Sequence, residues 1–160
     1  MSEIPALLER FRRGPELLAV VLTGVFGDEE DFSLPGKWSI RQIVAHLADA
    51  ELVGAHRFRQ VIAEETPTLM AFDQDAWARN LDYAQRKPKQ SLETFRRLRA
   101  ENYDLLKQLA PEAFERAGNH TRNGRMTLAQ MVESFARHAE SHARQLQETR
   151  EEYKRLKGRK

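Results

Sequence analysis

The chain contains no cysteine. That excludes disulfides, a zinc–thiolate cluster and a cysteine nucleophile, so any thiol chemistry here would need a thiol carried in by a substrate. No apolar run approaches the roughly 20 residues that span a bilayer. Met1 to Leu8 shows no basic segment followed by an apolar one, as a signal peptide would. The expected location is therefore cytoplasmic, with no membrane partner. An excess of one charge is missing too: 26 basic and 24 acidic residues leave a formal net charge of +2. Part of the basic surplus lies in Lys154, Arg155, Lys157, Arg159 and Lys160, a tail expected to fray from about residue 154. Elsewhere Arg and Glu alternate along helical stretches, which describes a solvated face rather than a nucleic-acid stripe. A nucleic-acid partner is not expected.

Internal repeats and low-complexity segments are also absent. What remains is a chain of 160 residues, 41% hydrophobic and 31% charged, the size and balance of one globular domain over 1–160. Prolines divide it. Pro35-Gly36, Pro67, Pro88 and Pro111 fall between helix-like stretches, where a missing N–H does least harm.

From Pro5 to Gly24, Leu7, Leu8, Phe11, Leu17, Leu18, Val21 and Leu22 recur at helical spacing, with Gly14-Pro15 placed to kink or divide the helix. Gly27 to Lys37 reads as a loop. Ser39 and Gln42 form a capping-box signature before a second helix that should end near Glu65. Ile40, Ile43, Val44, Leu47, Gly54, Phe58, Val61 and Ile62 form its apolar face. Pro67 to Pro88 reads as a long connection with a short helix at Gln74 to Asn80, and long ordered connections often cover a site. A third helix is expected after Ser91, ending by Pro111. Gly118 to Arg125 is a turn or short hairpin. Thr127 and Gln130 repeat the capping-box signature before a last helix reaching about Leu156. Four main helices of these lengths predict an all-α, four-helix bundle, a fold that builds metal sites from side chains on facing helices.

The five histidines are placed differently from one another. In the last helix, Leu128, Met131, Val132, Phe135, Ala139, His142 and Leu146 share one apolar face. His138 lies on the same side, one turn before His142. The i, i+4 spacing stacks two imidazoles so that they can converge on one point, as helical HxxxH pairs do around zinc or similar ions. His46 leans towards the apolar stripe of the second helix and could supply a third nitrogen. Three protein nitrogens leave a position open for water or substrate, as at a catalytic ion. Asp49, Glu51 and Gln145 are placed to give supporting hydrogen bonds. The competing reading is that all three histidines are hydrogen-bonded core residues. His56 and His120 read as solvent-exposed or hydrogen-bonding residues. Trp38 reads as a packing residue, and Trp77 as either packing or cavity wall.

The segment from Gly36 to Glu51 (GKWSIRQIVAHLADAE) resembles the W-S-x-R-[EQ]-x-x-x-H-[LI] segment of the DinB-like superfamily. Met126-Thr127-Leu128 followed by His138-Ala139-Glu140-Ser141-His142 resembles that family's H-x-x-x-H helix, at a matching separation. The resemblance covers nearly the whole chain. It implies a four-helix bundle of the DinB-like type, commonly a homodimer. It also implies one divalent transition metal ion, zinc or nickel, on His46, His138 and His142. Relatives of this kind include bacillithiol transferases and mycothiol-dependent enzymes such as maleylpyruvate isomerase, in which the metal activates a low-molecular-weight thiol.

The function expected first is therefore metal-dependent S-transfer of a low-molecular-weight thiol to a small-molecule substrate. Asp49, Glu51 and the aspartates of the Asp73–Asp75 loop are candidate general bases, and no catalytic residue is assigned. Two alternatives stay open: a metal-dependent hydrolase with water as nucleophile, and a non-catalytic metal-stabilised stress-response or interaction protein.

Overall fold

The computed structural model describes residues 3–158. Six helices dominate it: α1 (Glu3–Arg12), α2 (Gly14–Val21), α3 (Ile40–Ala63), α4 (Gln74–Asn80), α5 (Pro88–Lys107) and α6 (Leu128–Gly158). Three short strands join them: β1 (Thr68–Leu69), β2 (Ala117–His120) and β3 (Gly124–Thr127). The pair α1/α2 fills one corner of a four-helix bundle, and α3, α5 and α6 fill the others. α3 packs on α5 and α6, and α1/α2 packs on α5 and α6. No helix among the described residues is long and apolar enough to cross a membrane.

The division of the first helix follows from Gly14-Pro15. Pro15 has no N–H to return to the Phe11 carbonyl four residues back. Nη1 of Arg99, from α5, donates to that carbonyl instead, at 2.8 Å. Gly14 makes room for it: a Cβ there would lie 2.6 Å from Arg99 Nη1.

Both long helices that carry the candidate ligands start at a capping box. Ser39 Oγ accepts from the Gln42 N–H at 3.2 Å, and Gln42 Oε1 accepts from the Ser39 N–H at 2.8 Å. Thr127 and Gln130 repeat the exchange at 3.1 and 2.8 Å. These bonds satisfy amide groups that a helix start otherwise leaves without partners. The short helix at Gln74–Asn80 also lies where the sequence places it, with Asp73 as its N-cap.

Three expectations need correction. α5 begins at Pro88, not after Ser91. Proline suits the first helical position, where its fixed φ and missing N–H cost nothing, so Ser91 is buried inside the first turn instead of capping it. The loop from Gly27 contains a 3-10 turn, Gly27–Asp31. The expected hairpin, β2 with β3, gains a third strand: β1 pairs in parallel with β2, Leu69 opposite His120. In the basic tail, helix persists to Gly158 and Lys157 pairs with Asp28 at 2.8 Å. Arg159 and Lys160 lie outside the described residues.

Two apolar clusters fill the bundle. One includes Phe11, Phe58, Leu106 and Val132, and the other Leu18, Ile43, Phe95 and Leu146. Arg99 lies where they meet, its guanidinium 4.0 Å from the Phe11 ring and 4.9 Å from that of Phe95. It is fully buried with Glu51, which takes two bonds from it at 2.9 and 2.7 Å and a third from Asn102 at 2.9 Å. A buried charge pair is tolerable when its polar atoms are hydrogen-bonded, and each Arg99 side-chain nitrogen and each Glu51 carboxylate oxygen has a partner.

Candidate metal centre

α3 presents His46, and α6 presents His138 and His142 one turn apart. Because α3 and α6 are neighbours, the three rings meet. His46 Nε2 lies 2.9 Å from His138 Nε2, and His142 Nε2 lies 3.1 Å from the same atom. The donor atoms of all three fall within 4.8 Å of one another. The rings stand at 70–89° to each other, so their edges converge instead of stacking. Close approach of the helices is allowed by Gly54, where a Cβ would come within 2.6 Å of the Phe135 ring.

The protonation chemistry suits a cation. Burial is the main cause that lowers all three imidazole pKa values. It takes His46 down to about 4, with the neighbouring His142 adding to the effect and Asp49 opposing it. It takes His138 lower still, helped by His142, His46 and Arg99. His142 is lowered by burial, against a hydrogen bond to Gln145. At neutral pH all three rings are therefore uncharged. Gln145 Oε1 lies 2.8 Å from His142 Nδ1. An amide oxygen only accepts, so Nδ1 carries the hydrogen and His142 Nε2 presents a bare lone pair. His138 Nε2 faces two other Nε2 atoms, and a single hydrogen cannot satisfy both contacts. A cation accepting three lone pairs does. Two nitrogens each about 2.1 Å from one ion, at roughly right angles, stand about 3 Å apart, as these pairs do. Three neutral imidazoles are ligands of a type that divalent transition metals take.

Around this cluster, Gln145 makes the supporting bond its position suggested. The two carboxylates do not. Glu51 is fully committed to Arg99 and Asn102, because α5 brings a guanidinium to its face of α3. Asp49 accepts from the Tyr83 hydroxyl at 2.8 Å and from Arg86 at 3.2 Å, so it reaches His46 only through its charge. His46 Nδ1 is buried with no hydrogen-bond partner among the described residues. Asp73 accepts from the Ala76 N–H as a helix cap, and Asp75 is exposed; neither lines the cavity beside His138. His56 is exposed. His120 is buried, not solvent-exposed, at the end of β2, and its Nδ1 accepts from the backbone N–H groups of Arg122 and Asn123 at 3.1 Å each. Trp38 packs against the His46 ring, 5.0 Å between centroids.

A cavity of about 270 Å³ opens beside His138. Phe135, Phe72 and Ala50 give it apolar walls, and Arg57, Arg137 and Ser141 give polar ones. Trp77 stands behind Phe72, their rings 4.6 Å apart. Arg57 was not anticipated as a site residue. It sits on the α3 face turned towards α6, one position before Phe58, and nothing in its immediate sequence distinguishes it from a surface arginine.

Residues 10–146 match the family description of the DinB superfamily. A protein of Oceanobacillus iheyensis, assigned provisionally by its name to the metal-dependent hydrolases, is 29% identical over 130 residues, which is 80% of this chain and 74% of the relative. YfiT from Bacillus subtilis, described as a probable metal-dependent hydrolase with an unusual four-helix bundle topology, superposes with a TM-score of 0.88 at 24% identity. That alignment covers 93% of this chain and 86% of YfiT. A mycothiol-dependent maleylpyruvate isomerase shares the fold at lower similarity, with a TM-score of 0.70 and 18% identity over 89% of this chain and 60% of the isomerase. The match of the family description over most of the chain, on a bundle of this topology, places the protein: it belongs to the DinB superfamily.

Proposed function

We propose that His46, His138 and His142 hold one divalent transition metal ion, and that the protein is a metal-dependent enzyme acting on a small molecule in the adjoining cavity. The observation that carries this reading is the convergence of three uncharged imidazoles on one point, with one of them, His138, lining that cavity. An ion held there would lower the pKa of a thiol or water reaching it, giving a nucleophile at neutral pH.

The chain's own residues prepare the site in three ways. Gln145 fixes the His142 tautomer so that Nε2 faces inward. Trp38 and the surrounding apolar side chains keep the imidazoles neutral and free to donate. Phe135 and Phe72 wall the cavity where a substrate's apolar part would lie.

The nucleophile we favour is a low-molecular-weight thiol, with S-transfer to an electrophilic substrate. A thiol-dependent enzyme shares the fold, and the absence of cysteine fits a thiol carried in by a substrate without demanding one. Hydrolysis is the second reading, favoured by the names of the relatives. One assay separates them. Metal-loaded protein is given an electrophile with and without a panel of thiols, and an ester panel without thiol. Electrophile consumption only when thiol is present supports transfer, and ester turnover without thiol supports hydrolysis. Turnover in neither, with metal bound, contradicts both and leaves a metal-stabilised interaction protein.

A further inference from the structure

The partly buried arginines of this protein nearly all have a carboxylate. Arg99 pairs with Glu51, Arg150 with Glu29 at 2.8 Å, and Arg41 with Glu30 and Asp31 at 2.8 Å each. Arg57 is the exception among the described residues. Its one hydrogen bond goes from Nη2 to the Met70 carbonyl, and its Nε is buried without a partner. Desolvation alone lowers its pKa, with no carboxylate acting against it. Its guanidinium borders two cavities. One is the 270 Å³ cavity that His138 also lines. The other is a smaller one of about 50 Å³ walled by Leu69, Met126 and Met131. The residues lining the larger cavity include a second cation, Arg137, and no carboxylate. An unpaired guanidinium held against apolar walls is costly unless an anion completes it, and its planar fork matches a carboxylate or phosphate.

We infer that the small molecule taken by this cavity carries an anionic group, a carboxylate in the first instance, held by Arg57 while its reacting end lies beside His138. The inference rests on the metal-site reading only in saying which end reacts. Phe135 lies between the two ends, packed on Phe58 and 6.4 Å from the His138 ring, and supplies an apolar surface for the part that joins them. Arg137 also lines the cavity, but it is exposed and pairs with Glu133 at 3.6 Å, so it does not fix the anion. The substrate class is thus a small amphipathic acid of a size suited to about 270 Å³.

The probes are 3-phenylpropionate and its neutral amide, titrated calorimetrically into wild type, Arg57→Gln, Arg57→Lys and His142→Ala, with metal content measured on each sample. Arg57→Gln keeps a donor for the Met70 carbonyl, and Arg57→Lys keeps the charge. The acid is expected to bind wild type about tenfold or more tightly than the amide, the worth of one charge-assisted hydrogen bond. That preference persists in His142→Ala, is reduced in Arg57→Lys and is lost in Arg57→Gln, whose metal content stays at the wild-type level. Equal binding of acid and amide, no binding of either, or a preference that survives Arg57→Gln overturns the inference. A preference lost in His142→Ala but kept in Arg57→Gln overturns it too, because the ion then holds the acid. Wild type that takes up no metal under any loading condition yet keeps the preference would defeat the metal reading and leave this one standing. Metal-loaded wild type without the preference would do the reverse.

Discussion

Gln145 prepares His142 for its proposed role as a ligand, because its amide oxygen takes the Nδ1 hydrogen and leaves Nε2 bare. Replacing it with alanine should lower metal affinity roughly 10- to 100-fold while the helix stays intact, the usual effect of removing such a support. Competition with a chelator of known affinity measures this, and unchanged affinity would remove Gln145 from the site. His46 gives a second prediction. Its pKa stands at about 4 in the folded chain, below the ordinary 6.5. Between those values the unfolded chain binds a proton that the folded chain excludes. Stability of the metal-free protein therefore falls as pH drops from about 6.5 towards 4, and the contribution is fully present only above that window. Thermal melts of metal-free wild type and His46→Asn across this range should diverge, with a shallower slope in the variant. Parallel curves would mean that the His46 ring is not held neutral by burial.

The helices set these residues in place, and each start can be tested by itself. Ser39→Ala or Thr127→Ala removes one half of a capping box and should cost about 1 kcal/mol of stability by denaturant titration. The Arg99–Glu51 pair is a different kind of element contact, because it joins α5 to α3 and reaches the α1/α2 break and the Phe135 carbonyl of α6. Arg99→Met alone leaves Glu51 buried without its partner and should cost about 3–5 kcal/mol, whereas Arg99→Met with Glu51→Leu should recover much of the loss. A double variant as unstable as the single one would show that the carbonyl contacts matter more than the charge. The caps, the divided first helix and the short α4 were legible because turn chemistry and proline act locally. Arg99 was harder to see. The buried stripe of α5 runs Ser91, Phe95, Arg99, Asn102 and Leu106 at helical spacing, but a search for apolar residues steps over Arg99 and Asn102. The pairing of β1 with β2 had no local signal either, since it joins segments about fifty residues apart.

At the scale of the molecule, the meeting of His46, His138 and His142 was legible because two motifs sit at a fixed separation and a bundle places their helices side by side. Asp49 and Glu51 were misread as support for the site because their partners, Tyr83, Arg86 and Arg99, come from elements that sequence alone does not position. If the ion bridges α3 and α6, it binds the folded chain and not the unfolded one. Free metal at 100 times its dissociation constant should then add about 2.7 kcal/mol. For a chain of this size that raises the melting temperature by roughly 5–10 °C. The most direct test of the three-histidine site is elemental analysis of protein purified without a histidine tag, wild type beside His142→Ala. The site predicts close to one zinc or nickel ion per wild-type chain and a large loss in the variant. Near-stoichiometric metal surviving in His142→Ala, or no metal in wild type under any loading condition, would contradict it.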